Sequence, residues 1–277
     1  KIQELLPKID FHVLCGNNNP LANVMRSMFG TRLNEMAFDL VLNPTTGVNG
    51  KAHIHKLITP AVILDSISMD ITQLSEAINI KTRVKNGPRN KVVNFESTLN
   101  ALITTHGIET SLVFLDGKGH KGIDLGVNLE TTDSLFQISL TPLNPILAYR
   151  KFNVNADNHI TINQKDHIQA NMNLLADDGT ALRLYSLPDT NAEQDITLSI
   201  TNFNLGELSN VLPFMPMITG MLNGDIHAVK ETEQATLSVD MDVKEMGYEG
   251  SPLGDIELGL IYFPNNDGSH LVDGILS

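Results

Sequence analysis

Tryptophan is absent from the 277-residue chain, and aromatic residues make up only 5% of it. Carbohydrate-binding modules usually stack sugar rings on Trp or Tyr, so this composition argues against that class of protein. Cys15 is the single cysteine, which excludes an internal disulfide and leaves the redox compartment undetermined. No run of about 20 apolar residues occurs, so no transmembrane helix is predicted.

Basic residues are scarce in the C-terminal third. From Ser186 onward there are 15 Asp/Glu and 2 Lys/Arg, the preceding part has 17 of each, and the formal net charge is −13. Without a basic stripe to release phosphate counterions, the chain is not expected to bind nucleic acid. The same charge disfavours electrostatic attraction to anionic membrane surfaces. We treat residues 1–277 as one elongated segment, and the charge shift suggests a soft subdivision into 1–187 and 188–277.

Alternation of apolar and polar residues dominates the chain. Successive side chains of a strand point to opposite faces, so each alternating run predicts a strand with one apolar and one polar face. We count roughly fifteen such runs separated by turn residues. They predict an all-β fold, a meandering antiparallel sheet with one apolar and one polar face, together with one or two short helices. The predicted apolar lining comprises Leu125, Val127, Leu129, Ile196, Leu198, Ile200, Leu237, Val239, Met241, Val243, Ile256, Leu258 and Leu260.

Two segments depart from this alternation. Residues 20–29 have apolar side chains at helical spacing, with Asn19 as the predicted N-cap and Gly30 as the stop. Residues 206–220 contain Pro213 and Pro216, which forbid a long regular helix, so a short helix followed by a bent link is predicted. The apolar side chains of this link either plug or cap the apolar face or contact a neighbouring segment: Val211, Leu212, Phe214, Met215, Met217 and Ile218.

Residues that could bind a metal ion or a phosphate, or act as an acid/base pair, do not form a recognised motif. His53 and His55 share a strand face, but no Cys or acidic partner stands at metal-ligand spacing. The Gly-rich stretch 117–122 lacks the spacing of a phosphate-binding loop and precedes a predicted strand. Two acidic pairs lie on predicted strand faces that the alternation turns towards solvent, Asp240/Asp242 and Asp255/Glu257. We therefore predict no enzyme activity, no metal site and no cofactor.

The stretch from Asp195 onward resembles the TamB family of AsmA-like cell-envelope proteins, and the whole chain is similar to the Bacteroidetes branch of that family. The resemblance rests on a series of features, of which Gly220-Met221-Leu222-Asn223-Gly224-Asp225 is the most specific. The others are Phe203–Leu208, Leu212-Pro213, Tyr248 and Pro252–Asp255. The first residues do not resemble a natural start, and the last ones stop within a strand-like alternation. We therefore expect a middle segment of a longer, membrane-anchored protein.

What this resemblance implies is an elongated, curled antiparallel β-sheet, apolar inside and polar outside. It would form a periplasmic trough that binds phospholipid or other acyl-chain lipids moving between the inner and outer membranes. Outer-membrane β-barrel assembly proteins would be partners of other parts of such a protein. Two other functions remain open. The first is a scaffold that assists the assembly or translocation of outer-membrane β-barrel proteins by pairing strand edges. The second is an enzyme on a β-solenoid, such as a polysaccharide lyase. A closed sandwich or barrel is the alternative fold for the same alternation.

Overall fold

The computed structural model describes residues 7–60, 62–90, 93–132, 134–163, 167–187, 192–212, 215–231, 234–265 and 269–277. Within these residues the chain forms eighteen strands and two short α-helices, which confirms the predicted all-β class. The bounds are β1 Ile9–Gly16, α1 Pro20–Phe29, β2 Arg32–Asn43, β3 Gly47–Ile58, β4 Ile63–Leu74, β5 Ala77–Asn86, β6 Phe95–Ile103, β7 Gly107–Asp116, β8 Lys121–Thr131, β9 Leu135–Leu147, β10 Arg150–Val154, β11 His159–Asn163, β12 Ile168–Ala176, β13 Ala181–Ser186, β14 Gln194–Asn204, α2 Leu205–Val211, β15 Ile218–Glu231, β16 Gln234–Tyr248, β17 Ser251–Pro264 and β18 His270–Leu276.

The chain divides into two compact units, Lys1–Gly126 (unit 1) and Val127–Ser277 (unit 2). The division falls within β8. The soft subdivision suggested at 187/188 lies between β13 and β14, which pair directly with each other, and residues 188–191 lie outside the described residues.

Unit 1 is an antiparallel meander in which each strand from β1 to β7 pairs with the next. Helix α1 lies between β1 and β2 and has the predicted ends. The Asn19 side chain accepts a hydrogen bond from the Ala22 amide at 2.9 Å, and Gly30 ends the helix with a φ of 61°. Local capping chemistry therefore determines this helix.

Unit 2 begins with a compact arrangement of short strands. Strand β9 pairs with β10 and β11, and β12 pairs with the same two strands. From β12 to β18 each strand then pairs antiparallel with the next. Phe152 is completely buried where the short strands meet, against Val154, Leu174 and Ala176. This cluster is a closed core that no pattern in the sequence indicated.

Candidate functional site

The candidate site is the apolar face of unit 2, because strand register brings its predicted lining residues together in rows. One row across six consecutive strands comprises Leu182, Ile200, Gly224, Met241, Leu258 and Leu276. The next comprises Leu184, Leu198, Ile226, Val239, Leu260 and Gly274. Two further rows are Ser186, Ile196, Ala228, Leu237, Tyr262 and Val272, and Phe203, Leu222, Val243 and Ile256.

Burial distinguishes this face from the interior of a sandwich. All thirteen predicted lining residues are half-buried, so none of them belongs to the sealed core and none is largely exposed. Inward side chains in the middle of two packed sheets are normally close-packed and shut off from water. Side chains that are aliphatic, contiguous and reachable by solvent can instead accept an apolar ligand.

The three lining residues of β8 form a separate set. Leu125, Val127 and Leu129 alternate along one strand and are half-buried like the others. The four rows contain the other ten predicted lining residues, which lie on β14, β16 and β17, and no residue of β8.

The opposite face of unit 2 is acidic where β15, β16 and β17 pair. Asp225 lies directly opposite Asp240 on the neighbouring strand, and Asp242 lies directly opposite Glu257. Like charges at such positions repel one another, which a folded sheet tolerates where water and cations screen them. In the middle of β15, β16 and β17 the two faces therefore differ in chemistry, as the alternation predicts.

Bulges interrupt the register of the site strands, and polar side chains contact the backbone at two of them. Asn202 has a φ of 50°, and its amide donates to Asn223 Oδ1 at 2.8 Å. Glu245 has a φ of 53°, and its amide donates to Asp255 Oδ1 at 2.9 Å. The register shifts at the same places, between β14 and β15 and between β16 and β17. Because bulges bend strands and increase their twist, these contacts shape the apolar face.

Asp255 makes one of these bulges sensitive to acid. The hydrogen bond from the Glu245 amide lowers the pKa of Asp255 below its ordinary value of 3.8, and the Lys244 ammonium lowers it further. A carboxyl whose pKa is lower in the folded state stabilises the fold above its unfolded pKa, and this stabilisation is lost as the pH falls through the folded value.

We expect D255N to lower the urea midpoint at neutral pH and to match the wild type once the pH falls below the lowered pKa of Asp255. Urea unfolding followed by circular dichroism at a series of pH values measures this. A difference in midpoint that stays constant from neutral to acidic pH would contradict the assigned hydrogen bond.

Only part of the predicted plug or cap, the apolar residues from Val211 to Ile218, is buried. Helix α2 packs on β15, and its Val211 is 3% exposed, whereas Met217 is 55% exposed. Leu212, Met215 and Ile218 are half-buried, and Phe214 lies outside the described residues. Residues from 218 onward belong to β15, so the predicted helix and link are shorter than the sequence suggested.

An arginine fastens α2 to the rest of unit 2. Arg150 of β10 donates to Glu207 of α2 at 2.9 Å and to the buried hydroxyl of Thr180, and it lies 3.3 Å from Asp178. Thr180 in turn donates to the Asn202 carbonyl at 3.1 Å. This network links the helix, the β12–β13 turn and the β14 bulge, and no sequence motif indicated it.

Unit 1 has an apolar face of the same kind, which the predicted site did not include. Its central row comprises Val13, Phe38, Ala52, Met69, Thr82, Leu99 and Leu112. A second row comprises Phe11, Leu40, Gly50, Ile71, Ile80, Ala101 and Thr110. The signal was present in the alternating runs around Phe38 and Met69.

The structure also places the Gly-rich stretch 117–122 and the histidine pair of β3, which were weighed above for phosphate and metal binding. The Asp116 carboxylate accepts hydrogen bonds from the Lys118 and His120 amides, each at 2.8 Å, so this Gly-rich turn presents a negative charge where a phosphate would sit. His53 and His55 are exposed on β3. Among the residues that the structure describes, no three His, Cys, Asp or Glu side chains are grouped to hold a metal ion. None of the described helices is long and apolar enough to cross a membrane.

Comparison of this chain with protein-family models, with curated proteins and with solved structures gives no match. The TamB-like assignment therefore rests on the residues that carry the resemblance and stays a prediction.

Proposed function

We propose that this chain is a periplasmic segment of a TamB-like envelope-biogenesis protein, and that its apolar face binds the acyl chains of lipids moving between the inner and outer membranes. The observation that carries the proposal is the half-burial of the predicted aliphatic residues of β14, β16 and β17, which lie in shared rows that also cross β15. In this view the protein acts by binding and not by catalysis.

The energetics of the proposed site are those of non-specific apolar contact. Each acyl CH₂ removed from water contributes about 0.8 kcal/mol, so even a partly covered chain is held without directional bonds. Ile, Leu, Val and Met provide a lining without polar atoms, and Met adapts its shape to irregular ligands. Many weak and interchangeable contacts of this kind suit a ligand that slides.

The test is native mass spectrometry of the purified protein followed by lipid extraction. We expect co-purified phospholipid with the wild type and its loss in the V239D/M241E variant, because two charges would stand in the middle of the apolar rows. T236E/S238D is the matched control, since it adds the same charge to the same strand on the opposite face. A folded, lipid-free wild type that takes up no fluorescent fatty acid would contradict the proposal and indicate a closed β-core.

A second candidate function is strand-edge pairing with outer-membrane β-barrel proteins, and one observation favours it. All seven residues of β18 are exposed, including Leu271, Val272, Ile275 and Leu276. Photo-crosslinking in cells distinguishes the two functions. Lipid adducts from Leu258 support the acyl-chain site, whereas protein adducts from Ile275 without lipid adducts from Leu258 support the scaffold.

A further inference from the structure

Helix α1 carries an exposed apolar ridge, which we define as Leu21, Val24, Met28 and Phe29. Their side chains are 42%, 48%, 70% and 64% exposed. Ala22 is the one fully buried residue of the helix. A surface helix of a water-soluble protein normally turns its apolar stripe inward, whereas α1 leaves these four apolar residues exposed together with its polar residues Asn23, Arg26 and Ser27.

The helix is held firmly in this orientation. Asn19 caps its first turn, the Arg26 guanidinium donates to the Asn17 carbonyl at 3.0 Å, and the Thr31 amide donates to the Met25 carbonyl at 3.2 Å. It packs against β1 and β2, the two strands that it connects. The ridge is thus a fixed feature of unit 1, beside strands that contribute Val13 and Phe38 to the unit's apolar face.

Basic side chains flank the ridge. From Gly16 to Asn34 the chain contains Arg26 and Arg32 and no Asp or Glu, and the exposed Glu35 follows on β2, opposite Gly16. Unit 1 as a whole has 13 Lys/Arg against 11 Asp/Glu, whereas unit 2 has 6 against 21. The acidic excess that opposes attraction of the whole chain to anionic membranes therefore belongs to unit 2.

We infer that α1 is a membrane-surface element, whose ridge inserts into the interface of a phospholipid bilayer while Arg26 and Arg32 contact anionic headgroups. Aliphatic side chains on one side of a short helix, flanked by arginine, are the chemistry that interfacial helices use. Basic residues near an anionic surface add to the apolar contribution. This surface site is separate from the proposed acyl-chain face and does not depend on it.

The absence of tryptophan makes the test direct, because one introduced indole is the only such reporter. We expect the emission of the M28W variant to shift to shorter wavelength with vesicles of equal parts phosphatidylglycerol and phosphatidylcholine, and much less with phosphatidylcholine alone. I275W is the matched control, since Ile275 of unit 2 is 72% exposed and Met28 is 70% exposed. Equal responses of the two variants, or none from M28W, would overturn the inference.

Vesicle flotation adds an affinity measurement on the otherwise unchanged protein. We expect L21S/M28S to bind the anionic vesicles about tenfold more weakly than the wild type, because two inserted side chains are lost. The control I261S/I275S removes two exposed apolar side chains from unit 2 and is expected to bind like the wild type. Unaltered flotation of a folded L21S/M28S variant, or failure of the wild type to float, contradicts a membrane role for α1.

The two proposals fail independently in these assays. If only the membrane role is correct, V239D/M241E and the wild type both float and neither takes up fluorescent fatty acid. If only the acyl-chain site is correct, L21S/M28S takes up fatty acid like the wild type and neither floats.

Discussion

Replacing Gly224 with alanine is expected to lower the free energy of unfolding by roughly 2–4 kcal/mol, because the backbone there leaves no room for a side chain. Gly224 has a φ of 152°, and an added Cβ would lie 2.4 Å from the Asp240 carbonyl oxygen and 2.6 Å from the Met241 Cα. Both contacts are to backbone on the paired strand, so relief requires β15 and β16 to separate locally.

Urea unfolding followed by the strand signal in circular dichroism measures this effect, and G259A is the control. Gly259 lies opposite Asp240 on the other side of β16, and an added Cβ there meets nothing within 4 Å. We expect G259A to change the unfolding free energy by less than about 0.5 kcal/mol. Equal stabilities of G224A and G259A would show that β15 does not approach β16 as closely as described.

The Gly224 position also bears on function. It is the gap in the apolar row between Ile200 and Met241, and an added Cβ would lie 2.7 Å from the Met241 Cγ. Any folded G224A protein must therefore move Met241, and we expect its lipid content to fall together with its stability.

Replacing Phe152 with alanine is expected to cost about 3–5 kcal/mol, the usual loss when a fully buried aromatic side chain is truncated. Phe152 is 0% exposed, and its neighbours Val154, Leu174 and Ala176 belong to strands that pair with one another. Since those strands hold one another in place, collapse around the missing ring is limited and a cavity remains.

The same measurement on F136A provides the comparison. Phe136 lies on β9 of the same unit and is 52% exposed, so truncating it removes the same atoms from a partly hydrated site. We expect a loss of about 1 kcal/mol or less. Comparable losses for F136A and F152A would mean that the closed core of unit 2 is not where the structure places it.

Much of the local structure was predictable from sequence because its determinants are local. Asn19, Pro20 and Gly30 act within a few residues, and α1 begins and ends as they predict. The alternation from Ile256 to Tyr262 assigns each side chain of β17 to one of two faces without reference to any other strand. Turn residues such as Asp116 and Gly117 also end strands through their own backbone preferences.

The glycines of the segment 220–225 show the limit of that reasoning. The sequence made this segment the most specific part of the resemblance but did not reveal its structural role. In the fold, Gly224 allows close approach of β16, and Asn223 satisfies the Asn202 amide at a bulge. Both roles depend on partners 16 to 21 residues away in the sequence, whose register no local pattern determines.

By itself, then, the sequence determined the class of the fold, the position and ends of α1, and the assignment of Val239 and Met241 to an apolar face. Only the tertiary structure decided that Phe152 is sealed in a core while Val239 and Met241 stay half-buried, and that the apolar ridge of α1 points to solvent. The physical reason is that alternation determines which side of a strand a residue occupies. Its burial depends on which distant segments cover that side.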